Sequence, residues 1–258
     1  MGKKFKQLLA EDRVARVFAV GRVVSPVVID MFGLAGGYDG LWLDQEHGGL
    51  TYEQILIGTA CARANGFDSF VRLNAGDYAV VTQAMEAGAG GIMAARVDSA
   101  AQAEQIVGWA KFAPRGSRGM NTSGYDSQYT HKGPAQFATD ANRDGFVAIQ
   151  IETLGALEDA DRIAAIPDVD LLFVGPVDLS QALVIVGQLS HEKLWNAIER
   201  VAAACRKHKK HWGIVPPDPA LAERAVQMGC RMLTMGNDIM ALRRGIAAVK
   251  DSFQSSFQ

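Results

Sequence analysis

The stretch FVAIQIETLGALEDADRIAAIPDVDLLFVGPVDLS, residues 146–180, decides the fold. It holds two short runs, FVAIQIE (146–152) and DLLFVGP (170–176), separated by an amphipathic segment. Both runs are apolar at nearly every position instead of alternating, as parallel strands are when helices cover both faces of their sheet. The first run ends on a carboxylate, Glu152, and the second on GPVD, which brings in Asp178. A strand, a helical segment and a second strand in that order make a unit that repeats readily.

Outward from this stretch the same rhythm continues in both directions. The further strand candidates are VFAVGRVV (17–24), GLWLD (40–44), SFVRL (69–73), GGIMAARV (90–97), WGIVP (212–216) and RMLTMG (231–236). Between them lie helical patterns. TYEQILIGTACARANG (51–66) closes on Gly66, a residue suited to follow a helix end. In DPALAERAVQMG (218–229), Asp218 is placed as N-cap with Pro219 just inside. Eight strand–helix units in a row, undivided by any Gly, Ser or Pro linker, predict one (β/α)8 barrel over residues 1–258, of the size such barrels need, about 250 residues. Residues 113–145 depart from the rhythm: they are polar, Gly-rich and too long for an ordinary connection. This loop carries Arg115, Arg118, Tyr125, Tyr129 and His131, and is expected either to serve a site or neighbouring subunit or to be a surface excursion.

Composition narrows the partners. A net charge of −2 and a pI near 6.2 give no electrostatic reason to expect nucleic acid or an anionic membrane. Cys61, Cys205 and Cys230 are widely spaced and read as reduced thiols. The N-terminal MGKKFKQLLAEDR lacks the apolar run of a signal peptide, and Lys6 occupies the place where a myristoylation signal beginning at Gly2 has Ser or Thr. No segment approaches the ~18 apolar residues of a membrane span. The expectation is a cytoplasmic protein acting on a small molecule.

In such a barrel the chemistry sits at the C-terminal ends of the strands. Those ends offer Asp44, Gln45, Glu46 and His47 after the second strand, and Arg72 on the third. The fifth gives Gln150, Glu152 and Thr153, the sixth Asp178 and Ser180, and the last two VPPD and TMGND. Glu152 and Asp178 follow runs too apolar to carry carboxylates by accident. Together they suit Mg2+ or Mn2+, which bind through one or two carboxylates and keep several waters; the competing reading is a salt bridge to a barrel arginine. Arg72 suits the carboxylate of a small acid substrate, or else an internal ion pair with Glu152 or Asp44. Gln150 shares a strand face with Glu152. His47 is the natural general base, with Asp44 three residues earlier available to orient its ring. Neither GLAGGYDG (33–40) nor GAGGI (88–92) forms a dinucleotide fingerprint. No G-x-S-x-G elbow occurs, and no lysine falls at a strand end; Lys111 lies at the end of a helix.

Three blocks carry a resemblance. GGYDGLWLDQEHGGLTYEQI is similar to the G-[FY]-D-x-[LV]-x-[IL]-D-x-E-H segment of the HpcH/HpaI aldolases, the class II pyruvate aldolases. The block from VRLNAGDY to APRGSRG resembles that family's centre, and IQIETLGALEDADRIAAIPDVDLLFVGPVDLSQAL resembles its metal-binding block. The match runs in order through residues 15 to 250.

The resemblance implies that Glu152 and Asp178 bind a divalent metal (Mg2+, Mn2+ or Co2+). Arg72, with Gln150 and Ser180 nearby, would hold pyruvate, and His47 with Asp44 would transfer the proton. It further implies a phosphoenolpyruvate/pyruvate-type barrel whose last helix is exchanged with a partner subunit, in homodimers that often gather into a hexamer. The reaction implied is reversible cleavage of a 4-hydroxy-2-oxo acid into pyruvate and an aldehyde, through an enolate that the metal stabilises. A related lyase or decarboxylase acting on oxaloacetate or an acyl-CoA, and a non-catalytic 2-oxo-acid-binding barrel, are the alternatives.

The chain departs from the pattern in three places. Gly21 and Arg22 stand where relatives commonly have tryptophan, QALVIVGQLSH replaces a segment with L-G-x-x-G, and Glu86 replaces an aspartate. These changes leave the pyruvate half intact, and Arg22 is expected to face an acidic aldehyde.

Overall fold

The structure, a computed structural model, describes residues 4–257; Gly2 lies outside them. Eight parallel strands close into a barrel in sequence order: β1 (Ala15–Val20), β2 (Gly40–Asp44), β3 (Asp68–Asn74), β4 (Gly91–Ala95), β5 (Phe146–Ile151), β6 (Leu171–Val174), β7 (His211–Ile214) and β8 (Cys230–Asn237). Pairing of β1 with both β2 and β8 completes the ring. Helix α1 (Phe5–Ala10) precedes the barrel. α2 (Pro26–Ala35), α3 (Tyr52–Ala64), α4 (Tyr78–Glu86) and α5 (Ala100–Ala110) follow the first four strands, and α6 (Pro134–Asp144) leads into β5. The chain continues through α7 (Leu154–Glu158), α8 (Ala160–Ala164), α9 (Pro176–Ala182), α10 (Glu192–His208) and α11 (Pro219–Gln227), and α12 (Asp238–Ser252) follows β8. The (β/α)8 barrel expected from the alternating pattern is the architecture found.

The start signals act as the sequence suggests. Asp218 accepts the Leu221 N–H at 2.9 Å with Pro219 in the first turn of α11, and Thr51 and Gln54 form a reciprocal capping box on α3. Alternation along the strands divides the core in two. Trp42, Phe70, Met93, Phe146, Phe173 and Met232 fill the inside of the barrel, where Phe5, Leu8 and Leu9 of α1 pack against them. Ile92, Ala94, Val147, Ile149, Leu172 and Val174 face outward into the layer beneath the helices. Phe5 has no exposed surface, so deleting its side chain is expected to cost about 3–5 kcal/mol.

Two strands end earlier than the sequence predicts, each for a local reason. β1 was expected to run to residue 24 but stops at Val20. The N–H groups of Gly21, Arg22 and Val23 all turn to one carboxylate oxygen, Oδ2 of the buried Asp238, at 3.1, 2.7 and 2.7 Å. β4 stops at Ala95 because Arg96 adopts a left-handed backbone, with φ of +56°.

The long loop lies at the N-terminal end of the barrel, away from the mouth of its own chain. α5 carries the chain back to that end, and Tyr125 N–H donates to the carbonyl of Glu86 at the close of α4. Arg118 pairs with Asp126 and stacks 4.8 Å from the Phe112 ring, while Arg63 lies 3.4 Å from the Tyr125 ring centre. Arg115 pairs with Asp168, just before β6, and His131 bonds within the loop. None of the five loop residues joins the mouth within one chain. No described helix is long and apolar enough to cross a membrane.

Candidate active site

Strand register brings the first two functional side chains together. Asp44, the last residue of β2, stands opposite Arg72 in β3. The guanidinium grips the carboxylate with Nε to Oδ1 at 2.9 Å and Nη2 to Oδ2 at 2.6 Å. Arg72 Nε is also 3.3 Å from Glu46 Oε2, and the guanidinium lies 4.6 Å from the centre of the Trp42 ring. Of the two sequence readings for Arg72, the internal pair with Asp44 is present, while Nη1 takes part in none of these contacts.

This pairing changes the surroundings of His47. Both Asp44 oxygens are engaged by Arg72, so the carboxylate does not meet the imidazole; Oδ1 instead accepts the backbone N–H of His47 at 3.3 Å. The ring is exposed, with Nε2 4.0 Å from Glu46 Oε2. Gly48 permits the turn behind it, because a Cβ there would fall 2.0 Å from the Asp44 carbonyl oxygen and 2.4 Å from that of Gly21.

β5 supplies the second group. Gln150 and Glu152 point the same way, and Gln150 Nε2 donates to Glu152 Oε2 at 2.5 Å. The other Glu152 oxygen accepts the backbone N–H of Arg96 at 2.7 Å, a contact that no sequence signal announced. Burial pushes the Glu152 carboxyl pKa above its ordinary value, the charges of Glu46 and Asp178 push it the same way, and the Arg96 N–H and Arg72 pull against them. The Gly175–Pro176 turn packs closely over the pair: a Cβ on Gly175 would lie 2.7 Å from Gln150 Nε2 and 2.8 Å from Glu152 Oε2. It delivers Asp178 into the first turn of α9.

Ser180 is drawn the other way. It is fully buried, its hydroxyl donating to the Val177 carbonyl at 2.6 Å and accepting the Gly187 N–H at 3.0 Å. This holds the loop after α9 and leaves Ser180 outside the cluster. Arg22 is exposed at the end of β1, with Nη1 3.5 Å from the Gly48 carbonyl.

The donor chemistry fits a hard divalent cation. Glu46 Oε2 and Gln150 Oε1 are buried without a hydrogen-bond partner, beside a Glu152 carboxyl whose pKa burial raises first and the neighbouring carboxylates second. Among the described residues no three His, Cys, Asp or Glu side chains form a ligating group. Glu152 and Asp178 are near enough for their charges to interact, and Mg2+ is commonly bound through one or two carboxylates.

A closed (β/α)8 barrel gathering oxygen donors and a paired arginine at its C-terminal mouth has the build of a metal-assisted barrel enzyme. The family model described as HpcH/HpaI aldolase/citrate lyase matches residues 23–245, and the chain belongs to that family of divalent-metal-dependent aldolases. It is an enzyme of the class II aldolase kind, a lyase acting on small molecules.

Its relatives span nearly its whole length. A 5-keto-4-deoxy-D-glucarate aldolase of Klebsiella pneumoniae subsp. pneumoniae is 29% identical over 251 residues, covering 97% of this chain and 96% of the relative. The crystal structure of an HpcH/HpaI aldolase from Desulfitobacterium hafniense DCB-2 superposes with a TM-score of 0.88 at 30% identity, covering 96% of each chain. A family protein from Burkholderia cenocepacia J2315 also gives 0.88, at 27% identity and 98% coverage of each chain.

Proposed function

We propose that the enzyme reversibly cleaves a 4-hydroxy-2-oxo acid into pyruvate and an aldehyde. The observation that carries this reading is the meeting of two groups at one mouth: Glu152 with Gln150 and Asp178, and Arg72 with Asp44 and Glu46. The named activity of the Klebsiella relative, an aldolase of a deoxy keto sugar acid, supports the same reaction class.

Glu152 and Asp178 would hold a divalent cation (Mg2+, Mn2+ or Co2+), which when bound supplies Lewis-acid polarisation of the 2-oxo group. Arg72 is fixed by two carboxylates, so its uncommitted Nη1 donates to a substrate oxygen from a preorganised position. Gln150 locks one oxygen of Glu152 and presents its own carbonyl to the same space. His47, exposed beside Glu46, takes the C4-hydroxyl proton as the C3–C4 bond breaks and returns it in synthesis. Glu46, whose Oε2 lies 4.0 Å from His47 Nε2, is the carboxylate nearer the ring and stabilises the imidazolium, while Asp44 accepts the His47 backbone N–H. Pyruvate release from a panel of 4-hydroxy-2-oxo acids, with and without EDTA, tests the reading; turnover that survives metal removal would overturn it.

The working unit in this proposal is a homodimer that exchanges α12, with further assembly to a hexamer. On α12 the side chains of Ile239, Leu242, Ile246 and Val249 form an exposed stripe at helical spacing that Phe253 just past the helix end continues, and Val27, Met31 and Leu34 form another on α2.

A further inference from the structure

We propose that Arg96 selects the aldehyde half of the reaction by binding a carboxylate carried on that aldehyde, a proposal that rests on the aldolase reading above. Along β4 the side chains alternate: Met93 faces into the barrel, while Ile92 and Ala94 face the apolar layer beneath the helices. One more extended residue would drive the guanidinium of Arg96 into that layer. The left-handed turn at +56° prevents this, and the side chain stands exposed at the mouth. A residue with a Cβ is strained in that region, and strain of this kind gathers at functional sites.

The turn is tied to the reaction centre, since the backbone N–H of Arg96 is the donor to Glu152 Oε1 at 2.7 Å. Its Cα is therefore one bond away from an atom touching a metal-binding carboxylate. Yet the guanidinium forms no hydrogen bond or ion pair among the described residues. Arg72 on the neighbouring strand is held by both Asp44 and Glu46, and Arg22 lies against the Gly48 carbonyl. Arg96 is a cation displayed at the mouth with its planar fork unoccupied.

Charge explains what that fork is for. The mouth carries Glu46 after β2, Glu152 after β5 and Asp178 after β6, an excess of negative charge around the Arg96 turn. A metal and Arg72 serve the 2-oxo acid half. An aldehyde bearing its own carboxylate meets net repulsion unless another cation receives it, whereas a neutral aldehyde needs no such group. A guanidinium matches a carboxylate in two parallel hydrogen bonds, and its long stem lets it act several bonds from the reacting carbon.

The test compares aldol synthesis from pyruvate with succinic semialdehyde and with butanal, using the metal-loaded wild type, Arg96→Gln, Arg96→Lys and Arg22→Ala. In Arg96→Gln the ratio of kcat/KM for the acidic over the neutral aldehyde is expected to fall about ten- to a hundredfold, the loss appearing mainly in KM. Lysine should restore part of it. Equal losses for both aldehydes, or loss of acid preference in Arg22→Ala but not in Arg96→Gln, overturns the assignment. Exchange of the pyruvate methyl protons in D2O separates the two levels of inference. A wild type that exchanges but shows no acid preference defeats the role of Arg96 alone; one that does not exchange defeats the aldolase reading and this inference with it.

Discussion

Arg72 and Asp44 form a two-pronged ion pair across the β2–β3 register, with the arginine side chain 9% and the aspartate side chain 15% exposed. Breaking a buried pair by removing one partner costs about 3–5 kcal/mol when nothing compensates. Glu46 remains beside Arg72 Nε at 3.3 Å, so Asp44→Ala is expected to lose less, about 1–3 kcal/mol in urea unfolding. Arg72→Lys keeps the charge and loses the fork. It should unfold at nearly the wild-type urea concentration yet lose at least about tenfold in kcat/KM for cleavage. Full activity in Arg72→Lys would show that a point charge suffices there.

Glu152→Gln is expected to separate stability from function. The carboxylate sits in a buried site among like charges, so replacing it with a neutral amide relieves both effects in the metal-free protein. The metal-free variant should be more stable than metal-free wild type by about 0.5–2 kcal/mol, and added Mn2+ is expected to stabilise the wild type but not the variant. Thermal unfolding with and without Mn2+ measures both. A metal-free variant less stable than wild type would mean that Glu152 is needed for its hydrogen bonds to Arg96 and Gln150 more than it is burdened by its charge.

Much of this site is legible in the sequence because strand position is legible. Short apolar runs separated by helical segments place Glu152, Asp44 and, two residues past its run, Asp178 at one end of a parallel barrel, and β3 sets Arg72 opposite Asp44 once the register is known. What sequence does not carry is which acceptor a donor chooses. Asp44 was expected to serve His47, but the guanidinium of Arg72 offers two parallel charged hydrogen bonds, and a lone imidazole cannot match them. Ser180 sits two residues after Asp178, yet its hydroxyl is consumed by backbone groups of its own loop. The left-handed turn at Arg96 and the three N–H groups collected by Asp238 have no local signature, because each depends on a residue more than 50 positions away.

Lys111 gives the fold a pH signature independent of the mouth. Its amine is buried and donates to the carbonyls of Asn142 and Gly145, and burial lowers its pKa from 10.5 to about 8. Between those values the unfolded chain binds more protons at this site than the folded one, so stability attributable to Lys111 rises with pH from about 8 to 10.5. With each unit worth about 1.4 kcal/mol, the rise amounts to roughly 3 kcal/mol. Urea unfolding of the wild type and Lys111→Met across this range isolates it: the difference in stability should widen in favour of the wild type as pH rises. A constant difference would mean that the amine ionises in the fold as it does in the unfolded chain.

The exposed stripe on α12 leads to the last expectation. Ile239, Leu242, Ile246 and Phe253 are each about half exposed, although full burial of one such side chain is worth about 1.5–3 kcal/mol. A helix that leaves this much apolar surface uncovered, anchored at its start by Asp238 holding the β1–α2 turn, is built to lie against another surface. The double substitution Leu242→Glu and Ile246→Glu puts two charges on the stripe without touching Asp238 or any residue at the mouth. Sedimentation velocity should then show a shift from oligomer to monomer. The barrel itself should persist, as far-UV circular dichroism would report, because its closure depends on β8 pairing with β1 and not on α12. An unchanged sedimentation coefficient in an oligomeric double variant would place the subunit interface elsewhere, and the α2 stripe of Val27, Met31 and Leu34 would be the next surface to charge.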